Sequence, residues 1–277
     1  MKTNKTLTIV IEAGHSIRHY WLDLWNYREL FYFLAWRDIL VRYKQTVIGI
    51  AWALVKPFLT MLVFTIVFST LAKLPSKDVP YPILVFAGLL PWLFFTSAFM
   101  EAGNSLISNA HMISKIYFPR LIIPVSSVIV SLVDFLISSL LLAALMVWYD
   151  HMPTWRIVTI PLFVLIAFAA ALGSGLWVAA LNVKYRDFRY IVPFVAQIGL
   201  YVSPVGFSST IVPERWRLLY SLNPMVGVID GFRWAIVAGD ATLYWPTVIM
   251  SICIVTVLLI TGIMYFRKAE FGFADLI

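Results

Sequence analysis

WRDILVRYKQTVIGIAWALVKP, residues Trp36 to Pro57, decides how this chain is to be read. Arg37, Asp38, Arg42 and Lys44 are interleaved with aliphatics at its start. From Thr46 to Ala72 the sole ionisable residue is Lys56. A hydrocarbon core of about 30 Å takes about 20 apolar residues as helix, so 46–72 suffices for a tilted crossing. A basic rim leading into a long apolar run is the pattern of the cytoplasmic end of a first membrane-spanning helix.

The rest of the composition agrees. The 277 residues are 61% hydrophobic and 13% charged, where a soluble domain carries roughly a quarter charged. Polar surface is too scarce to cover a globule of this size, and bilayer lipid is the natural solvent for the remainder. The net charge of +7 raises nucleic acid as a partner, but the basic residues lie between apolar segments rather than in one patch, which topology explains better. Cys253 is the one cysteine and sits in an apolar run, so neither an internal disulfide nor a metal cluster is expected. His15, Arg18, Asp23, Arg28 and Glu29 interrupt the first thirty residues, and no cleavable signal peptide is expected.

Upstream of the opening stretch, residues 8–35 show an apolar face. Ile17, Tyr20, Leu24, Tyr27, Phe31 and Leu34 recur at three- and four-residue steps, opposite Arg18, Asp23, Asn26 and Glu29. With Trp21 and Trp25 this predicts a helix lying in the membrane interface; an amphipathic helix packed on protein is the alternative. Downstream come apolar segments at 81–100, 121–149, 157–183, 190–204 and 241–266, and none but 121–149, through Asp134, carries an Asp, Glu, Lys or Arg before its polar flanks. The expectation is an all-α membrane protein of six spans forming one domain over 1–277.

With the N-terminus inside, 14 of the 21 Lys and Arg residues fall on inner segments and six on outer ones, with Lys56 left in the membrane. That asymmetry predicts both termini in the cytoplasm.

The fifth span is the irregular one. Pro193, Gly199 and Pro204 punctuate it and Gly206 and Pro213 follow, and a helix does not run smoothly past Ser203-Pro204. Beyond it Asn223-Pro224, Gly227, Asp230 and Arg233 lie in a second, mostly apolar stretch. Broken helices at membrane depth need burial in protein or a watery cavity. Residues 205–240 are therefore expected to be re-entrant outer helices near an exit, the alternative being a loop resting on the outer surface. In the fourth span Ala167, Ala171, Gly175 and Ala179 form a small-residue stripe that admits a close neighbour, in this chain or in a second copy.

No catalytic constellation is found. His15, His19, His111 and His151 are scattered, no GxSxG occurs, and Gly-Lys is absent, so there is no Walker A phosphate loop. Uphill transport would need nucleotide energy from another chain or an ion gradient. Asp134, mid-span, tests the latter; a hydrogen bond to a neighbouring helix is the structural reading. Lys56 either snorkels to the inner interface or meets an anionic lipid-linked substrate. Trp52, Phe58, Trp92, Phe95 and Tyr201 lie inside spans, where they serve packing or offer faces on which sugar rings stack. Residues 101–120 contain a short amphipathic helix, with Leu106, Ala110, Ile113 and Tyr117 on one face, that docks on a partner or simply connects spans.

Together these segments resemble the permease subunits of type-2 ABC exporters for lipid-linked polysaccharides. WRDILVRYKQTVIGIAWALVKP is similar to the first motif of that family and NAHMISKIYFPR (109–120) to its coupling-helix region. KYRDFRY (184–190) is similar to its second inner loop, and PVGFSS (204–209) with NPMVGVIDGFRW (223–234) to its outer gate helices. The resemblance implies a homodimer in the bacterial inner membrane bound to two ATP-binding cassette subunits. It implies ATP and Mg used by that partner, no cofactor on this chain, and an undecaprenyl-diphosphate-linked O-antigen or similar glycan as cargo. Asn109, His111, Ile113, Lys115, Tyr117 and Arg120 would receive the ATPase stroke. Arg37, Arg42, Lys44 and Lys56 would form a charged inner mouth, Trp52, Phe58, Trp92, Phe95 and Tyr201 the path, and Pro204, Phe207, Pro224, Asp230 and Arg233 the outer gate.

Overall fold

A computed structural model describes residues 17–44, 51–73, 79–237, 243–270 and 272–273. Residues 8–16, 45–50 and 238–242 of the predicted segments lie outside the described residues. Among those described the chain is all-helical: α1 (Ile17–Asn26), α2 (Arg28–Lys44), α3 (Ala51–Thr65), α4 (Tyr81–Ser108), α5 (Ala110–Ile113), α6 (Ile122–Trp148), α7 (Ile160–Lys184), α8 (Phe188–Val202), α9 (Glu214–Tyr220), α10 (Pro224–Ile236) and α11 (Trp245–Glu270). A π-helical turn, Ile66–Leu71, prolongs α3, and a 3₁₀ turn, Trp155–Thr159, leads into α7. Five of these helical runs are long and apolar enough to cross a membrane. The predicted fifth span makes a helix of 15 residues, about 22 Å.

α4 is the hub. It packs along α6 and α7, touches α3, α8 and α10, and is the most buried of the long helices. Its burial follows from composition: between Tyr81 and Met100 no charged side chain has to reach water. At 28 and 27 residues, α4 and α6 are about 40 Å long and overshoot the hydrocarbon. α4 runs eight residues past the predicted end of its span, and its last two turns lie at the end of the bundle that carries α5. The opposite end carries α9.

α7 lies between α4 and α11, and its small-residue stripe explains why. A Cβ on Gly175 would stand 2.7 Å from Ala102 of α4, and one on Gly173 would stand 2.7 Å from the Leu259 nitrogen of α11. At Gly175 the stripe's close neighbour is therefore α4 of the same chain, while Gly173, two residues off the stripe, faces α11.

The predicted interface helix is two helices. It breaks at Tyr27, and the second continues through Trp36 to Lys44, packing on α6. Leu34 is buried, and Tyr20, Leu24, Tyr27 and Phe31 pack on a cluster with Leu106, Ile113, Leu121 and Phe266, so the predicted apolar face meets protein. Trp21, Trp25, Phe33 and Trp36 on the remaining sides are exposed; these aromatics suit the lipid headgroup level.

Ser203 stands where the sequence predicts the break. Its backbone is extended (φ −83°, ψ 151°), as the steric demand of a following proline requires. The chain resumes helix at α10, where the Asn223 side chain accepts from the Met225 N–H at 3.0 Å and Pro224 occupies the first turn.

Candidate functional site

At the α5 end, α2 is joined to α4 and α6 by a charged network. The Arg37 guanidinium donates to Asp38 at 2.8 Å and to the Asn109 side-chain oxygen at 2.8 Å. Asn109 is the residue between α4 and α5, and its amide in turn donates to the Ser105 carbonyl at 2.9 Å. One turn further along α2, Arg42 donates to Glu101 of α4 at 2.5 Å and to Asp134 of α6, which also accepts from the Tyr43 hydroxyl. Burial alone would lower the Arg42 pKa, but the carboxylates of Glu101 and Asp134 outweigh it and hold the value above the ordinary one. Burial and the bond to Asp134 push the Tyr43 phenol up. Arg42 is thus held as a cation and Tyr43 as a neutral donor. The cleft beside them, about 350 Å³, is lined by Arg37, Asp38, Glu101, Ser108 and Asn109.

Asp38, Glu101 and Asp134 outnumber the two guanidiniums here, so the junction holds no surplus positive charge for an anion. The four residues expected to line an inner mouth consequently divide. Arg37 and Arg42 are engaged within the chain, while Lys44 and Lys56 are exposed, with no ion pair to either among the described residues. The hydrogen bond expected from Asp134 to a neighbouring helix is there, to α2, but sequence reasoning named neither its donors, Arg42 and Tyr43, nor Glu101 as the second carboxylate on Arg42.

The coupling region is less helical than its spacing suggests. α5 is a single turn; Leu106 and Ile113 are buried, while His111, Lys115 and Tyr117 are exposed. Arg120 belongs to a separate junction. Its backbone N–H donates to the Glu270 carboxylate at 2.9 Å, its guanidinium donates to the Glu270 carbonyl, and it lies 5.9 Å from the Phe273 ring. Arg267 stands 4.4 Å from the ring of Tyr20. The end of α11 is therefore tied to α1 and to the start of α6.

At the α9 end a single arginine closes the broken stretch. Arg233, 7% exposed, donates to the carbonyls of Leu84 (3.2 Å), Phe207 (2.5 Å) and Val205 (2.5 Å). The Pro204 turn leaves the Val205 and Phe207 carbonyls outside any helix, where an unpaired carbonyl would be costly, while Leu84 belongs to α4 and ties the knot to it. Gly88 makes room, because a Cβ there would stand 2.6 Å from the guanidinium. Tyr81 donates to the Gly206 carbonyl at 2.8 Å, Tyr220 to the Val202 carbonyl at 2.9 Å, and the Asn223 amide to the Ser203 hydroxyl at 2.9 Å. Gly206 itself receives the Phe68 ring from the π-helical end of α3. Pro204 is buried within this knot and Phe207 half-buried; Pro224 starts α10, and Asp230 lies one turn before Arg233.

The aromatic residues do not form one row within a chain. Trp92 is buried under Gly199 of α8, Phe95 stacks on Phe99 at 5.8 Å, and Phe58 packs on the core. Trp52 and Tyr201 are 59% and 67% exposed. They stand on α3 and α8, which together carry a long apolar exposed surface: Leu59, Val63 and Ile66 on one, Tyr190, Phe194 and Ile198 on the other.

The model of the family described as ABC-2 type transporter matches residues 29–237, from the start of α2 to the end of α10. The chain belongs to that family. It is the permease, the transport component in the membrane without a catalytic domain, and permeases of this family pair with ATP-binding subunits. It is 31% identical to the O-antigen export system permease protein RfbA of Myxococcus xanthus over 214 residues, 76% of this chain and 81% of the relative. A Klebsiella pneumoniae protein of the same name is 25% identical over 242 residues, 87% and 92% of the two chains. The polysialic acid transport protein KpsM of Escherichia coli is 21% identical over 208 residues, 73% and 79%.

Proposed function

We propose that this permease forms the channel of an ATP-driven exporter that moves an undecaprenyl-diphosphate-linked polysaccharide of O-antigen type from the cytoplasm across the bacterial inner membrane. It works as a homodimer with two ATP-binding cassette subunits, which use the ATP and Mg. Both termini are cytoplasmic, 190–204 completes six spans, and the α9 end faces outward. The exposed apolar faces of α3 and α8, with Trp52 and Tyr201, meet their counterparts in the second copy and line the path. The Arg233 knot, with Pro204, Phe207, Pro224 and Asp230, seals its outer end. Similarity to O-antigen permeases supports the glycan class, and the KpsM relative keeps capsular polysaccharide as the alternative cargo on the same architecture.

The observation that carries the mechanism is the bond from Arg37 to Asn109. The exposed turn His111–Tyr117 is where a cytoplasmic ATPase can press. Asn109 at its root is bonded to α2, and α2 leads by a short connection to α3. A push on the turn therefore reaches the first span through two hydrogen-bonded residues. An ion-coupled carrier using Asp134 is less favoured, because Asp134 already accepts from Arg42 and Tyr43.

Reconstitution of this chain with and without its ATP-binding partner, using a fluorescent lipid-linked glycan, is the test. Transfer should require partner, ATP and both copies, and should persist in Asp134→Asn. Transfer by the permease alone down an ion gradient would refute the proposal. Labelling of single cysteines placed at Lys115 and Arg215 reads the orientation, with only the latter reactive from outside.

A further inference from the structure

We propose that the groove between α6 and α7 is a site for one acyl chain of a bilayer phospholipid, which buttresses the gate helix α10 from behind. α6 and α7 each pack closely along α4 but touch one another little, and the gap between them is a cavity of about 720 Å³. Its floor is Leu90, Phe232 and Ile236, the last two from α10. Leu136 and Leu165 flank its open side and are 56% and 64% exposed.

The lining chooses the occupant. The one polar side chain is Ser139, whose hydroxyl donates to the Phe135 carbonyl at 2.8 Å, so water would find almost no partner there. A void of this size would forfeit the contacts of every lining side chain. The groove follows α6 from Ile129 to Met146, about 25 Å at 1.5 Å per residue. Volume over length leaves a mean section of roughly 30 Å². A helix with its side chains is about 10–12 Å across and needs roughly three times that area, so a helix of a second copy would lie across the open side and leave the groove unfilled. An extended alkyl chain, with carbon contacts near 4–4.5 Å, needs about 20 Å² and fits. At the α9 end the groove opens beside Ile157. There Arg156 lies 5.0 Å from the Trp234 ring of α10, and Trp148 and Trp155 are exposed. Interfacial tryptophans with a cation mark the height of a headgroup. The chain enters there and presses α10, the carrier of Arg233, toward α4.

The full-length protein in nanodiscs doped with a phospholipid bearing a diazirine on its acyl chain tests this. After irradiation, adducts should concentrate on peptides 129–146 and 157–168 relative to the exposed face of α11. Ala143→Trp, which fills the groove, should cut those adducts several-fold and leave the α11 adducts as a check on folding. Ala144→Trp, one residue round the helix and outside the groove, should change neither. Equal labelling of α6, α7 and α11 in the unaltered protein would overturn the proposal. So would groove adducts that survive Ala143→Trp, or cross-links from the groove to a second copy.

Discussion

Arg42 and Arg233 each tie α4 to a neighbour, at opposite ends of the bundle and by opposite chemistry. Arg42 meets carboxylates, Glu101 and Asp134, and is partly open to the polar cleft beside it. Arg233 is almost fully buried and meets only backbone carbonyls. A carboxylate pair near water can part and re-form, because solvent offsets much of what is lost. Carbonyls in an apolar surround have no substitute partner. The first arrangement suits a joint that transmits motion; the second suits a fixed anchor around which the α9 end is built.

The contrast is broken or sharpened most strongly at Arg233. Arg233→Leu orphans the Val205 and Phe207 carbonyls and should destabilise the chain by about 3–5 kcal/mol, read as a large fall in the melting midpoint of the purified protein. Arg233→Lys keeps the charge but not the planar fork and should fall between. An unchanged midpoint in the leucine variant would mean that the knot is not an anchor. Gly88→Val, which pushes a side chain into the guanidinium's place, should cost about 1–3 kcal/mol by the same measurement.

Arg42→Ala should cost less, about 1–2 kcal/mol, because its partners are partly exposed, yet should reduce transport strongly. Adding Asp134→Asn removes one of the two stranded carboxylates, and the double variant should recover part of the lost stability. Additive losses would show that Arg42 and Asp134 do not act as a pair. The smallest stability effect, within about 0.5 kcal/mol, is expected for Arg37→Ala and Asn109→Ala. Their signature is instead a fall in glycan moved per ATP hydrolysed by the assembled exporter. A normal ratio in both variants would remove the Arg37–Asn109 bond from the transmission path.

Much of this was legible in order along the chain. The apolar runs at 46–72, 81–100, 121–149, 157–183 and 241–266 map onto the long helices wherever residues are described, since twenty uncharged residues in lipid have no other way to satisfy their backbone. Ser203-Pro204 marked the break because the proline constraint is local. The partners of Asp134 were not legible. Arg42 is 92 residues away and Tyr43 91, and nothing in a linear pattern tells which helix packs on which. Asp134 is the thirteenth of the 27 residues of α6, and it is the packing of α2 along α6 that brings Arg42 and Tyr43 to it. The length of α2 was misjudged for a related reason. Arg37, Arg42 and Lys44 look like a solvated rim, whereas ion pairing lets the helix continue through the first two of them.

By itself the sequence determined that this chain lives in a bilayer as helices, which end is basic, where the fifth apolar run must break, and that no phosphate-binding loop is present. These are consequences of nearest-neighbour sterics and of transfer between water and hydrocarbon, both written residue by residue. Tertiary structure alone decided which charges cancel, which glycines face a guanidinium or a phenyl ring, and where α6 and α7 part to leave a groove. Those depend on distances between residues far apart in sequence, and only packing against the α4 hub brings them within reach.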